Sequence, residues 1–577
     1  MIIQSLVKFY ENMVESGELL SEGWVLAPIS YVLDIDRDGN ILNINHTVTP
    51  ICVGKKIVHR PISAACPAFV IRSSAVKSNF LYDNSEYILG VGQNGEDREK
   101  FGVCKKLHHE ILDGLNSEAA SAILAFFDKW NPQESKKHLM LKEFYDDVIS
   151  GCNLTFRFNG RLVSEYQEIA EAWNRHYSEK TEFEGFCLAT GNYGPIERIH
   201  PKIRGFVGAQ ASGASLISFN SDSCKSYGKD QGFNAPISRY AAFAYTSALN
   251  YLIKDQDRQI RIGDTAVFFW ADGKTSASEK LIGFALNEQN PYNYNERELW
   301  DKIVKLADGG VVEFEGVTID PTTSVCILGL SPNIARVFVR FFCQNTIGGL
   351  FRNLLEHQKR LRIDRSVFDE DDTVPMWKLL NAVVNQNVRD KSPIANMAGE
   401  TIKSILANTE YPATLLSQAI IRSRCEGNVT HVRAAIIKAY YLKNPHYQVP
   451  REVLTMSLNK ESNDIPYCLG RIFAVLEKIE KEVGCSTVSE RYYALASATP
   501  AATFTMLLRR TNRSIMHIRM ERPSIALYLE KKLENLIDKI DNNIPAHLSI
   551  AEQGMFHLGY YHQKTDLYTK QEEEDNV

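Results

Sequence analysis

The sequence lacks the short motifs that mark many catalytic and metal-binding proteins. It contains no Gly-x-Ser-x-Gly, His-Glu-x-x-His or Walker A motif, which serve serine hydrolases, zinc proteases and P-loop nucleotidases. Its eleven cysteines are scattered, and no two have the Cys-x-x-Cys spacing of a zinc ribbon or a thioredoxin-like site. We therefore expect a protein that is not an enzyme and that has no metal site and no cofactor.

Long hydrophobic runs and a strong charge of one sign are also missing. No segment approaches the roughly 18 consecutive apolar residues that a membrane-spanning helix needs. The N-terminus places Lys8 and Glu11 inside an apolar pattern, which is typical of an amphipathic helix and not of a signal peptide. The net charge of −5 excludes a basic nucleic-acid coat but allows a local basic surface. We expect a cytoplasmic protein without a membrane partner.

The chain has an ordinary globular composition, and its pattern changes from mixed strands and helices to helices alone about two thirds of the way along. With 577 residues, 44% of them hydrophobic, it can form two to four domains. Residues 1–367 mix strand and helix patterns and predict a mixed α/β N-terminal domain. Residues 376–455 are helical, and 456–577 predict a bundle of four or five helices. The fold class is therefore α+β.

Local patterns within the first domain predict particular elements. Two apolar runs around Asp38-Gly39 predict a hairpin over 29–44. Further strands are expected at 68–72 and 80–92. The acidic segment FDEDDTVP, residues 368–375, is interpreted as a linker between the domains, with an acidic metal cluster as the alternative.

Two patterns offer an enzyme as the alternative function. Gly90, Gly92 and Gly95 satisfy Gly-x-Gly-x-x-Gly, and Glu110 lies roughly where a ribose-binding acid is expected. However, acidic residues open the following helix and would repel a pyrophosphate. His108-His109 suggests a metal or nuclease site, but adjacent helical residues point about 100° apart. We expect an ordinary turn and surface histidines.

Positive charge is concentrated in three segments. Residues 197–261 carry nine Lys or Arg and five acidic residues. Within the helical tail, the fourteen residues 509–522 hold five arginines opposed only by Glu521: Arg509, Arg510, Arg513, Arg519 and Arg522. A third basic group precedes the tail: Arg422, Arg424, Arg433 and Lys438. Each group alone can be a solvated helix face. Together they favour a phosphate backbone as the ligand.

A polar stretch in mid-chain supports this interpretation. Residues 208–236, GAQASGASLISFNSDSCKSYGKDQGFNAP, contain glycines at positions 208, 213, 228 and 232 that permit close backbone approach. Its hydrogen-bonding groups suit base edges or phosphates, and they are Gln210, Ser212, Ser215, Asn220 and Asn234. Lys225 and Lys229 add positive charge, and Tyr227 adds a ring on which a base can stack. The alternative is a large polar loop that packs on the core.

The chain closely resembles the large subunit of the type I-C CRISPR surveillance complex, Cascade. The resemblance rests on long motifs: MIIQSLVKFYE, FLYDNSEYILG, GAQASGASLISFN, SYGKDQGFNAPISRYAAFAYTSALNYLI, IGDTAVFFWAD, RVFVRFF and LGRIFAVLEKIEK. It implies a non-catalytic subunit that reads a protospacer-adjacent motif, typically 5′-TTC, in duplex DNA, promotes opening and stabilises the displaced strand. The implied partners are guide-RNA-bound backbone subunits, target DNA and a helicase–nuclease. A scaffold without duplex-DNA affinity is the further alternative.

The resemblance also implies a small subunit made from an internal start in the same gene, for which we predict Met456. Two segments qualify as motif readers. RSSAVKSNF, residues 72–80, offers Arg72, Ser74, Lys77 and Asn79 in a short basic loop. We hypothesise that this loop contacts the motif duplex and that residues 208–236 support or share the site.

Overall fold

The computed structural model describes residues 1–577 except 54–55, 71, 73–75, 180–182, 273–275, 288–289, 366–373, 386–395, 485–487, 542 and 576–577, and gives only the backbone of 50–53, 56–59, 179, 287 and 569–575. Packing divides the chain into two compact units. The first comprises residues 1, 3–201 and 218–248, and the second comprises 2, 202–217 and 249–577. The sequence-based functional domains stay predictions, and most of the proposed linker lies outside the described residues.

The first unit mixes short strands with helices. In chain order it contains α1 (Ile2–Glu15), β1 (Trp24–Ile29), β2 (Tyr31–Ile35), β3 (Ile41–His46), β4 (Val48–Val53), β5 (Lys56–Pro67), β6 (Tyr82–Asn84), α2 (Ser85–Ile88), β7 (Val91–Gly92), β8 (Gly95–Glu96), α3 (Arg98–Leu112), α4 (Glu118–Lys129), α5 (Tyr145–Val148), β9 (Asn153–Phe158), β10 (Arg161–Leu162), α6 (Gln167–Glu179), β11 (Glu184–Phe186) and β12 (Tyr193–Pro195). Helix α7 (Arg239–Lys254) begins in this unit and ends in the second.

Two sheets organise the first unit. One is antiparallel with strand order β1-β5-β4, and the other has the order β10-β9-β2-β3 with β6 also beside β9. Strands β2 and β9 run parallel, and β2 and β3 form the predicted hairpin. Gly39 is required in that turn because its φ is +78° and a Cβ would lie 2.2 Å from the backbone nitrogen of Phe126.

The strands predicted at 68–72 and 80–92 are wrong over most of their length. After Pro67 the backbone leaves the strand ladder, and the Ala68 N–H donates to the Gly23 carbonyl at 2.7 Å. The second segment is strand only at Tyr82–Asn84 and Val91–Gly92, because Asn84 caps the intervening helix α2 by accepting from the Glu86 N–H at 3.1 Å. Local capping chemistry here overrides the apolar pattern.

The core of the first unit is rich in aromatic rings. Phe80 stacks on Trp173 with ring centroids 5.4 Å apart, and Phe126 meets Phe156 edge to face at 5.0 Å. These side chains come from the loop before β6, from α4, from β9 and from α6. Such pairs add specific geometry to the burial of large apolar surfaces, and they fix the helices against the second sheet.

The second unit begins with a sheet and continues almost entirely as helices. Its elements are β13 (Gln259–Ile262), β14 (Thr265–Ala271), α8 (Ala277–Asn287), α9 (Glu296–Ala307), β15 (Val312–Phe314), β16 (Val317–Ile319), β17 (Ser324–Asn333), β18 (Arg336–Thr346), α10 (Ile347–Leu361), α11 (Met376–Ala382), α12 (Met397–Leu406), α13 (Ala413–Glu426), α14 (His431–Lys443), α15 (Ile465–Glu482), α16 (Val488–Ala496), α17 (Pro500–Glu521), α18 (Pro523–Ile540) and α19 (Ile550–Asp575).

The antiparallel sheet of the second unit has the order β13-β14-β17-β18. One of its faces, which includes Val267, Phe269 and Ile327, joins a continuous core with helices α8 and α10. Sheets in the N-terminal half and helices toward the C-terminus confirm the predicted α+β class.

Helices α15–α19 form the bundle predicted for the tail. Helices α15 and α19 approach very closely, because a Cβ on Gly470 would lie 2.0 Å from the Phe556 carbonyl oxygen. A Cβ on Gly559 would lie equally near the Tyr467 carbonyl oxygen. None of the helices among the described residues combines the length and apolar character needed to cross a bilayer.

Candidate nucleic-acid interface

The loop before β6 is held by one buried carboxylate. Asp83 accepts from the Asn79 N–H at 2.9 Å and pairs with the Arg72 guanidinium, which also lies 4.1 Å from the centre of the Tyr87 ring. Burial raises the pKa of the Asp83 carboxyl, and the hydrogen bonds from Asn79 and the charge of Arg72 partly offset that rise. The loop backbone between Val76 and Phe80 is therefore fixed from inside.

The four predicted residues of this loop divide into different roles. The Asn79 side chain is buried and accepts from the Val70 N–H at 2.9 Å, and Arg72 Nε donates to the Lys77 carbonyl at 2.8 Å. Lys77 itself is exposed, and its ammonium group pairs with none of the described residues. Ser74 lies outside the described residues. Lys77 is thus the cation in the described part of this loop that forms no ion pair.

A cleft of ≈ 300 Å³ lies beside the same loop. Its lining combines exposed apolar side chains, including Leu26 and Phe69, with the polar groups of Arg72, Asp83 and Asn84. The cleft and Lys77 belong to the first unit, so this unit carries both a free charge and a concave surface next to one fixed loop.

The glycines of residues 208–236 serve close approach to the protein's own chain. A Cβ on Gly208 would lie 2.9 Å from Pro332 Cγ, and one on Gly213 would lie 3.0 Å from the Ile203 carbonyl oxygen. In the first unit, a Cβ on Gly232 would lie 2.4 Å from the Glu197 carbonyl oxygen. Three of the four glycines are therefore explained by packing of the loop itself, whereas Gly228 occupies a tight turn.

Residues 208–217 belong to the second unit and cap the β17–β18 hairpin. The Gln210 N–H donates to the Ile334 carbonyl at 2.9 Å, and Gln210 Nε2 donates to the Gly213 carbonyl at 3.0 Å. Ser215 pairs with β18 at Arg336 and accepts from Lys202 Nζ at 2.7 Å. Ser212 is exposed. Most of the polar groups here stabilise the loop.

Residues 218–236 belong to the first unit and contain a compact turn over Ser226–Lys229. Asn234 holds this turn by three hydrogen bonds, and Lys225 pairs with Asp222 at 3.0 Å and with Asp230 at 3.2 Å. Tyr227 and Lys229 are exposed at its tip, and Asn220 is exposed nearby along the chain. The structure therefore separates the groups that build the turn from those that it presents.

The basic group on α13 and α14 is not the exposed patch that a phosphate-binding surface requires. Arg433 and Lys438 are each only 3% exposed. Arg433 pairs with Glu426 at 2.6 Å, and burial lowers the pKa of the Lys438 ammonium to about 8. Arg422 and Arg424 are half-buried, and Arg424 donates to Gln553 at 3.3 Å. Arg433 and Lys438 face the interior because α14 is covered by neighbouring helices on most sides.

The arginines of helix α17, together with Arg522 directly after it, split into paired and unpaired groups. Arg510 pairs with Glu480 at 3.0 Å, Arg522 pairs with Glu482 at 2.5 Å, and Arg519 pairs with Glu530. Arg509 and Arg513 are exposed one helical turn apart and form no ion pair within the described chain. The paired arginines join α17 to α15 and α18, and the other two are free to contact a ligand.

Three methionines beside these free arginines were missed in the sequence. Met506, Met516 and Met520 are 45%, 63% and 85% exposed on α17. They recur with Arg509 and Arg513 at helical spacing, which was the signal that could have identified one mixed apolar and basic face. Flexible thioethers can cover the faces of bases, while the neighbouring guanidinium groups can contact phosphates.

The two enzyme patterns have structural explanations. Gly92 and Gly95 close the short β7–β8 hairpin, which is an ordinary turn as expected. The expectation of two surface histidines is wrong for His108, which is fully buried and accepts from the Leu81 N–H at 3.0 Å. Its other ring nitrogen lies 2.8 Å from the Cys104 carbonyl, and burial lowers the pKa of His108 to about 4. His109 lies between Asp113 and Asp128.

The comparison with protein families matches residues 6–568 to the family described as CRISPR-associated protein (Cas_Csd1). A comparison with curated proteins finds no significant match. The matched family is that of the type I-C Cascade large subunit, which confirms the resemblance seen in the sequence. Because the match spans nearly the whole chain, this protein belongs to the CRISPR-associated protein (Cas_Csd1) family.

Proposed function

We propose that this chain is the non-catalytic subunit that reads the protospacer-adjacent motif, 5′-TTC, in a type I-C CRISPR surveillance complex. It contacts the motif in duplex DNA, helps to open the duplex and holds the displaced strand during R-loop formation. Base pairing with a guide RNA supplies most of the sequence specificity, while the protein reads the motif and the shape of the DNA. Membership of the family supports this role.

The observation that carries the proposal is the fixed loop that presents Lys77. Asp83 and Arg72 hold the loop backbone, while the Lys77 ammonium is exposed and unpaired among the described residues. A rigid loop loses little conformational entropy on binding. Most of the favourable free energy of the contact between Lys77 and the DNA therefore contributes to affinity. Asn79, by contrast, acts from within the loop as a support.

The displaced strand requires a second, sequence-independent surface. Arg509 and Arg513 on α17 supply unpaired charge, and the exposed methionines beside them supply apolar area for bases. Phosphate contacts of this kind do not depend on the base sequence, and the affinity that they supply decreases as the salt concentration rises. We assign the displaced single strand to this face of the helical tail.

The proposed partners follow from the same role. The chain assembles in the cytoplasm with guide-RNA-bound backbone subunits, recruits a helicase–nuclease and works beside a small subunit from the same gene. Met456 is 50% exposed and lies between helical elements, so a product that starts there contains α15–α19 intact. This placement supports Met456 as the internal start.

The test is binding of duplex targets by the assembled guide-RNA complex at roughly physiological salt, with and without a flanking 5′-TTC. We expect tighter binding with the motif, and we expect this difference to shrink when Lys77 is replaced by Ala. The matched control is Lys106→Ala, which removes an exposed lysine from α3 of the same unit. Replacing Asn79 is a poorer test because it also releases the loop.

The outcomes separate the candidate functions. Loss of the motif preference in Lys77→Ala but not in Lys106→Ala supports the proposal. Motif preference that persists in both variants assigns reading to another loop. Equal binding with and without the motif in the unaltered complex favours a scaffold, and cofactor binding or DNA cleavage by the isolated chain favours an enzyme.

A further inference from the structure

The turn Ser226–Lys229 holds an aromatic residue in an unusual backbone conformation. The Lys229 N–H donates to the Ser226 carbonyl at 3.0 Å, and the two central residues have φ of +51° at Tyr227 and +70° at Gly228. Positive φ at both central positions defines a type I′ turn, whose first position usually holds Asn, Asp or Gly. A tyrosine there is disfavoured, because its Cβ is crowded in the left-handed region.

Asn234 uses its whole side chain to hold this turn. Its Oδ1 accepts from the Ser226 N–H at 2.9 Å, and its Nδ2 donates to the carbonyls of Lys229 and Gln231, both at 3.0 Å. Lys225 adds ion pairs to Asp222 and Asp230 on the two sides of the turn. The unfavourable backbone at Tyr227 is therefore imposed by contacts around it.

The result of this arrangement is one ring held out in solvent. Tyr227 is 98% exposed, and its ring contacts no other aromatic ring or cation among the described residues. Left-handed strain maintained by surrounding contacts is a common feature of ligand-binding positions. A turn that only joins two segments would not need a tyrosine at its strained tip.

The surroundings of Tyr227 favour a nucleobase over a protein surface. Every other residue of 221–230 is polar, glycine or cysteine, and all except Cys224 are exposed. A protein partner would need further apolar area around the ring to exclude water. A single base covers one aromatic face. Lys229 beside it forms no ion pair with the described residues and can contact the phosphate of the same nucleotide.

We propose that Tyr227 stacks on an unpaired nucleobase and that Asn234 is its positioning residue. The proposal rests on the proposed function, which brings opened DNA and a guide RNA to this subunit. The base can come from either nucleic acid, since both expose the same aromatic face. In either source the base must be unstacked from one neighbour, so fully paired duplex is not the ligand.

The experiment uses the assembled guide-RNA complex and targets that carry 2-aminopurine at single unpaired positions. One series labels the DNA strands of a pre-opened target, and a second labels unpaired positions of the guide RNA. Stacking on Tyr227 quenches the probe, so the series that brightens in Tyr227→Ala identifies the source. We expect this brightening and, for a DNA source, about ten-fold weaker binding of the opened target. Tyr227→Phe should behave as the unaltered protein.

A double variant tests the role of Asn234. Asn234→Ala should brighten the probe partly, and it should add nothing in a Tyr227→Ala background, because both changes remove the same contact. A merely structural role of Asn234 would instead give additive effects. The melting temperature should be the same in Tyr227→Ala as in the unaltered protein, since the Tyr227 ring packs against none of the described residues.

Two results would overturn the inference. No change of probe signal in either series for Tyr227→Ala, or equal losses in Tyr227→Phe and Tyr227→Ala, would exclude stacking. If the motif preference and its dependence on Lys77 persist in that case, the proposed function stands without this contact. If the unaltered complex binds targets with and without the motif equally well, the proposed function itself is contradicted.

Discussion

Gly554 of α19 lies directly against the hydroxyl group of Tyr441 of α14. A Cβ built on Gly554 would be 2.0 Å from Tyr441 Oη, which is far inside contact distance. The Tyr441 hydroxyl also donates to the Ala551 carbonyl at 3.0 Å, so the ring cannot turn away without losing that bond. This contact joins the predicted small-subunit segment to the helices that precede it.

Gly554→Ala should therefore act differently in the two proposed products of the gene. In the full chain it should lower the free energy of unfolding by about 1–3 kcal/mol because of overpacking against Tyr441. In a product that starts at Met456 Tyr441 is missing, and alanine should stabilise the helix by up to about 1 kcal/mol. Thermal unfolding of both products, purified from the complex, measures the difference.

The control for this prediction is Gly559→Ala. Its Cβ would lie 2.0 Å from the Tyr467 carbonyl oxygen, which is present in both products, so both should be destabilised. Equal effects of Gly554→Ala on the two products would show that the α14 contact does not distinguish them.

The internal start itself is testable by mass spectrometry. The small chain that copurifies with the complex should begin at Met456, and Met456→Leu should abolish it. Because Met456 is half exposed, the full chain should keep its stability in that variant. A small chain with another first residue would refute the assignment.

Substitutions of the unpaired arginines should lower the affinity for DNA, whereas substitution of a paired arginine should lower the stability of the bundle. Replacing Arg509 and Arg513 by Ala should weaken binding of all single-stranded sequences and reduce the salt slope by about 0.7 for each phosphate that is no longer neutralised. Arg522→Ala should instead destabilise the bundle, since the Arg522 guanidinium binds both the carboxylate and the backbone carbonyl of Glu482. Titrations at several salt concentrations, combined with thermal unfolding, distinguish the two variants.

Asp83→Asn should release the loop that presents Lys77. Asparagine cannot balance the Arg72 charge or accept as strongly from the Asn79 N–H, so the chain should lose about 1–3 kcal/mol of stability. Motif-dependent binding should fall with it. Asp146→Asn, at an exposed position in the same unit, should change neither quantity.

Stability should fall in mild acid because several histidines are buried in the neutral form. Burial lowers the pKa to about 4 in His108 and His562 and to about 3 in His357 and His557. The unfolded chain binds protons below about pH 6.5 while the folded chain does not, so stability is complete above that pH and declines toward pH 4.

The expected loss is about 2 kcal/mol for each buried imidazole at pH 5. Urea unfolding between pH 8 and pH 5 measures it.

Local patterns predicted the hairpin at Gly39, the helix that follows Gly95 and the helical tail, since periodicity and turn chemistry act over a few residues. They failed at His108 and Arg433. Helical spacing cannot reveal that Leu81 or Glu426 will surround those side chains. Burial of a polar residue depends on neighbours that only the folded chain supplies.

The same limit applies to the candidate interface. The sequence identified the basic groups of α17 and the polar stretch around Tyr227, but it assigned Asn79 and Asn234 to the ligand. Both side chains are used inside the protein, where they accept from backbone N–H groups. A short polar side chain satisfies its own backbone as readily as a base edge, and composition does not distinguish the two.

The sequence by itself determined the α+β class and the family, because these depend on local periodicity and on long motifs. The tertiary structure decided which cations remain free. Arg510 is neutralised by Glu480, thirty residues away, whereas Arg509 next to it points to solvent. Ion pairs form between residues that folding brings together, so the charges left for a ligand are fixed only once the chain has packed.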